Sequence, residues 1–123
     1  LCLVSRMLAE ARTGGVITVG TPEAEREWSW LPDLATVIAL LMQKFETSGA
    51  PVIHAGTPPA ITALALARAI AARIHGSTIR LSPPPHDPIR PPMGSGVASV
   101  FEAAQWTGMD DALDQMIQAE VTT

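Results

Sequence analysis

Arg26-Glu27-Trp28-Ser29-Trp30-Leu31-Pro32-Asp33-Leu34-Ala35 is the stretch on which the fold turns. Its first half alternates, so Arg26, Trp28 and Trp30 share one face of a predicted strand and Glu27, Ser29 and Leu31 the other. Its second half changes period. Pro32-Asp33 opens a predicted helix in which Leu34, Val37, Ile38, Leu41 and Phe45 form one apolar stripe, closed by Gly49-Ala50.

The same strand-then-helix grammar extends both ways. Upstream, Leu1, Val4, Met7, Leu8 and Ala11 recur at helical spacing and Gly14-Gly15 stops them. Val16–Val19 then reads as a strand ended by Gly20-Thr21-Pro22. Downstream, Pro51–Ala55 is a predicted strand, and Thr62 caps a helix running to Ile74, with Leu66, Ile70 and Ile74 one turn apart. Thr78–Leu81 is the next strand. Residues 82–96 form a Pro/Gly-rich loop, and Ser82–Pro92 alone holds more than half of the chain's 11 prolines. A weaker helical run, Val97–Trp106, precedes a last helix capped by Asp110 or Asp111, with Leu113, Met116, Ile117 and Val121 on one side. The expected fold class is α+β, short strands with about four helices, in residues 1–123 as a single domain or domain fragment.

Composition narrows the function. The chain has 123 residues, 47% hydrophobic and 16% charged, with a formal charge of -4. It offers no basic footprint for a nucleic acid. No apolar run reaches the roughly 20 residues of a membrane-spanning helix. One cysteine, Cys2, excludes an internal disulfide and fits a reducing, cytoplasmic setting. Arg6, Glu10 and Arg12 break up the apolar N-terminal stretch, which lacks the order of a signal peptide. Tyrosine is absent, so no phenol serves as acid or base.

Few residues carry chemistry. His54, His75 and His86 have no zinc-ligand spacing, so packing or capping is their default and no metal site is expected. His86-Asp87 in the proline loop is a candidate ligand contact. Gly94-Ser95-Gly96 lacks the preceding strand and the third glycine of a dinucleotide loop, and no Gly-x-Ser-x-Gly elbow occurs. Arg26 admits two readings. Beside two tryptophans its guanidinium suits a phosphate next to a ring. The alternative, which exposed ion pairs and buried tryptophans make the more ordinary one, is a surface arginine paired with Glu23 or Glu25, the tryptophans being core.

The opening stretch resembles the "arginine, acid, aromatic, x, aromatic, aliphatic, x, aspartate, aliphatic, alanine" signature of extended short-chain dehydrogenases, the NAD-dependent epimerase/dehydratase family. Val16–Gly20 resembles the strand before that signature, and Val52-Ile53-His54-Ala55-Gly56 the family's "valine-tyrosine-asparagine-valine-glycine" strand. Thr62–Ile74 resembles the helix after that strand, and Ala103–Gly108 with Asp110–Gln118 the closing turn and helix. The resemblance implies a C-terminal substrate-binding lobe whose Rossmann half, with the cofactor loop and catalytic tyrosine and lysine, is not in this chain. It implies no catalytic and no cofactor-binding residue here, NAD or NADP in the complete enzyme, and a small-molecule substrate such as a sugar nucleotide or related alcohol or ketone. The substrate-binding residues it implies are Arg26, Trp28, His86 and Arg90. His86 stands in a segment where many members carry a phosphate-binding arginine, and Arg90 lies close enough to substitute. The partner would be the N-terminal half, in cis or in trans. A stand-alone binding or regulatory module without activity is the alternative.

Low charge and apolar faces on the helices at Leu1–Arg12 and Thr62–Ile74 also predict exposed apolar surface and self-association. For the cofactor, calorimetric titration of this chain with NAD+ or NADPH is expected to give no isotherm. A micromolar one overturns that expectation.

Overall fold

A computed structural model describes residues 2–44, 55, 57, 59–82, 101–102 and 105–121, and the elements below are those of the described residues. They are α1 (Leu3–Thr13), β1 (Val16–Val19), β2 (Glu25–Arg26), α2 (Leu31–Lys44), β3 (Ile61–Thr62), α3 (Ala63–Arg73), β4 (Thr78–Leu81) and α4 (Met109–Val121). The fold is mixed α+β with four helices and short strands. It divides into two compact units, residues 1–26 with 61–91, and residues 27–60 with 92–123.

In the first unit β1 and β4 form a two-stranded parallel sheet, Val16 opposite Thr78 and Val19 opposite Leu81. Both strands start from glycines in the left-handed region, Gly15 at φ 65° and Gly76 at φ 82°. The positive φ is what favours glycine at this corner, since a Cβ on Gly15 would stand 3.4 Å from the Gly76 carbonyl, an ordinary contact. Alternation along β1 turns Ile17 and Val19 inward, 0% and 1% exposed, onto Met7 and Leu8 of α1 and Leu66 and Ile70 of α3 in the core. Parallel strands require a crossover, and α3 is its last element.

One edge of the sheet is closed by side chains. Thr78 N–H donates to the Gly15 carbonyl and Ser82 N–H to the Val19 carbonyl, so the odd-numbered residues of β1 face β4 and Thr18 faces away. Thr18 N–H donates to Glu10 Oε2 at 2.8 Å, and Arg6 Nη2 donates to the Thr18 carbonyl at 3.1 Å. Arg6 Nη1 and Glu10 Oε1, one turn apart on α1, are themselves paired at 2.6 Å. This ion pair takes the place of a third strand for one residue.

The α3 N-terminus is equally well supplied. Its first amides reach Ala24 O (from Ala63, 2.9 Å), Pro22 O (from Leu64, 3.1 Å) and Thr62 Oγ1 (from Ala65, 3.1 Å). Thr62 is therefore both the end of β3 and the cap of α3. That double role shortens the β2–β3 pairing to Glu25 with Thr62 and Arg26 with Ile61. Past Ile61 the antiparallel partners would be Ala60 and then Pro59, which has no N–H to give. The strand predicted from Arg26 to Leu31 thus stops at Arg26, and Glu27–Trp30 carry no regular structure.

In the second unit Val37 (0% exposed), Phe101 and Trp106 form a cluster with Leu40, Leu41 and Ala55 against it. Phe101 and Trp106 meet edge to face, ring centroids 4.8 Å apart. The Asp33 carboxylate accepts from Thr107 N–H at 2.6 Å and Thr107 Oγ1 at 3.1 Å. The buried side of α2 is therefore Asp33, Val37, Leu40 and Leu41, whereas Ile38 of the predicted stripe is 51% exposed beside Leu31 and Met42 at 71% and 74%. Apolar exposure falls on α2 and on Leu81 of β4 rather than on α1 and α3, whose Met7, Leu8, Leu66 and Ile70 are buried. Of the predicted Val97–Trp106 helix only Phe101, Glu102, Gln105 and Trp106 are described, Gln105 N–H donating to Glu102 O. The final helix starts one residue before the predicted caps: Ala112 N–H reaches Gly108 O, which puts Asp110 and Asp111 in its first turn, favourable to its dipole. Of the predicted strand Pro51–Ala55 only Ala55 is described, without regular structure; the loop of residues 82–96 lies, Ser82 apart, outside the described residues.

Burial opposes ionisation of Glu10, but the Thr18 N–H, the Arg6 hydrogen bond and the charges of Arg6 and Arg80 outweigh it and hold its carboxyl below the usual value. A lowered folded pKa gives stabilisation that is fully present above the unfolded value near 4.5 and lost as pH falls through the folded one. Urea midpoints measured from pH 7 down to 3 should fall in acid, and Glu10→Gln should flatten that fall. Thr62→Ala should cost about 1 kcal/mol at any pH in that range.

Candidate functional site

Past the carboxyl end of β1 the first unit holds a cavity of about 320 Å³, lined by Leu3, Arg6, Met7, Val19, Gly20, Thr21, Ala24, Arg26 and Ala63. Each lining residue is placed by an element already described. Leu3, Arg6 and Met7 follow helical spacing on α1, Gly20 and Thr21 continue β1, and Arg26 is held by its pairing with Ile61. The volume lies at the low end of small-ligand sites, and the carboxyl end of a parallel strand is where open α/β sheets bind ligands.

The floor is apolar and buried: Met7 0%, Val19 1%, Ala24 6% and Ala63 6% exposed. The charged groups are two guanidiniums, and no acid lines the space. They differ in their partners. Arg6 is neutralised by Glu10 and tied to the Thr18 carbonyl. Arg26 is half-buried, donates through Nη1 to the Glu25 carbonyl at 2.8 Å, and pairs with no carboxylate among the described residues. The nearby N-terminus of α3 is not a free anion cradle, since its first three amides already have acceptors. Any anion here is held by arginine.

Among the expected site residues, Arg26 lines the cavity, and it makes no ion pair with Glu23 or Glu25. Trp28 belongs to the second unit, half-buried, its Nε1 enclosed and without a hydrogen-bond partner among the described residues. The expected shared strand face of Arg26, Trp28 and Trp30 does not form, because the strand ends at Arg26. His86 and Arg90 lie outside the described residues. Among the described residues no cluster of His, Cys, Asp and Glu could hold a metal, and no helix is long and apolar enough to cross a membrane.

Arg6 is the residue that sequence reasoning missed as a site. There it counts only as a charge in an apolar stretch. Its i, i+4 spacing to Glu10 is legible, but its position beside Val19 and Arg26 depends on how α1 packs on β1. No family model matches this chain, and no curated protein matches it.

Proposed function

We propose that this chain is the substrate-binding lobe of an NAD(P)-dependent epimerase, dehydratase or reductase of the extended short-chain dehydrogenase type. It acts on a sugar nucleotide or a related alcohol or ketone and is not catalytic alone. One observation carries the reading: Arg26, an arginine without a carboxylate partner among the described residues, borders an apolar-floored cavity at the carboxyl end of β1. Arg26 would grip a phosphoryl oxygen, its planar fork fixing direction as well as distance. Leu3, Met7, Val19 and Ala24 would exclude water from the body of the ligand. Orientation of this kind is itself a large part of catalysis.

The partner is an N-terminal Rossmann half, in cis or in trans, and the setting is cytoplasmic. NAD or NADP bound there would supply hydride transfer, with tyrosine and lysine from that half. A stand-alone binding module is the second reading, favoured by the fact that every residue lining the cavity comes from one unit. An upstream reading frame with a Gly-rich strand–helix start separates the two.

The anion site is tested on the chain itself. Titration with UDP-glucose should give binding that Arg26→Ala reduces at least tenfold and Arg26→Lys restores in part, since lysine lacks the fork. Equal affinity in all three forms sinks the reading.

A further inference from the structure

The charge of the cavity points to more than an anion. Two arginines line it, yet Glu10 pairs with Arg6 at 2.6 Å from outside the lining. Arg26 is free of any carboxylate among the described residues, so the two lining arginines and the one carboxylate paired with them sum to a single positive charge; Arg80, whose charge also acts on Glu10, is exposed and does not line the cavity. Resting on the anion-site reading above, we infer that the cavity takes a singly charged acid group, a phosphoryl esterified on both sides or a carboxylate, and turns away a doubly charged terminal phosphate.

The physical argument is one of scaling. Attraction to one guanidinium grows in proportion to the ligand's charge, whereas the cost of stripping water from an ion grows with its square. Over an apolar floor of Met7, Val19, Ala24 and Ala63, the second charge of a terminal phosphate would lose part of its water and gain no counterion. A singly charged group is matched. Each phosphoryl of an intact sugar nucleotide also carries one charge, with an ester link on one side and an anhydride link on the other, while a nucleotide that has lost its sugar ends in a group carrying two charges near neutral pH. Arg6 still contributes hydrogen bonds, but as half of a neutral pair. Glu10 is then a specificity residue that acts through Arg6 without touching the ligand.

Three probes with one ring isolate the charge: methyl phenyl phosphate and benzoate with one, and phenyl phosphate with two at pH 8. Calorimetry on the 123-residue chain should find a singly charged probe binding at least about tenfold tighter than phenyl phosphate. The better of methyl phenyl phosphate and benzoate tells the diester from the carboxylate. Glu10→Gln keeps an acceptor for Thr18 N–H but frees the Arg6 charge, so phenyl phosphate should gain about tenfold or more and overtake the other two. The double variant Arg6→Gln/Glu10→Gln returns the cavity to one positive charge and should restore the original order. Thermal unfolding confirms that each variant is folded, and if Glu10→Gln is not, the wild-type order and the double variant still decide. Arg26-dependent binding that favours phenyl phosphate in the wild type, or an order indifferent to Glu10, overturns the inference and leaves the anion site standing. No binding of any probe overturns both.

Discussion

A two-stranded parallel sheet is a poor object by itself, and what sustains it here is the grip of Arg6 and Glu10 on Thr18. The backbone amide and carbonyl of Thr18 point to the side that β4 does not serve. Left in a half-buried place without partners, they would cost about as much as the sheet's own hydrogen bonds return. The ion pair meets both. In doing so it fixes the height of α1 along β1, which sets Met7 and Leu8 over Ile17 and Val19. The cavity follows from the same constraint, because Leu3, Arg6 and Met7 reach its wall only with α1 at that height.

The second unit depends on a comparable device. Asp33, in the first turn of α2, holds Thr107 by two hydrogen bonds across 74 residues of sequence. Trp106 is the neighbour of Thr107, so this contact also seats Trp106 against Val37 and Phe101. The cost is visible on the other side of α2. Turning Asp33 and Val37 inward leaves Leu31, Ile38 and Met42 outward.

Much of the frame was legible because it is written in local rules. The α1 stop at Gly14-Gly15, the Thr62 cap and the strands Val16–Val19 and Thr78–Leu81 all depend on residues within one or two turns. The failures have a common physical source. Alternation from Arg26 to Leu31 is a genuine period-2 pattern, but a strand also needs a partner, and the partner is cut short by Pro59 on one side and the α3 cap on the other. Of the stripe on α2, Val37 and Leu41 do face the cluster, but Ile38 does not, and Asp33, polar and so left outside the stripe, is drawn inward by Thr107. Of the site, Arg26 could be singled out as a charge next to aromatic residues. The aromatic neighbours proved not to continue its strand, and the second guanidinium came from a helix whose packing no local rule specifies.

The shared position of Thr62 has a consequence for how the first unit would respond to an occupant. Arg26 pairs with Ile61, the next residue is the cap, and the Thr62 oxygen holds the amide of Ala65. Any force that a ligand exerts on the Arg26 backbone passes through one peptide to the first turn of α3. The loop before Arg26 is tied to the same turn through the carbonyls of Pro22 and Ala24. The guanidinium and the helix start therefore form one mechanical unit. Occupancy of the cavity should register as slowed amide hydrogen exchange at Ala63, Leu64 and Ala65, residues of which only Ala63 lines it.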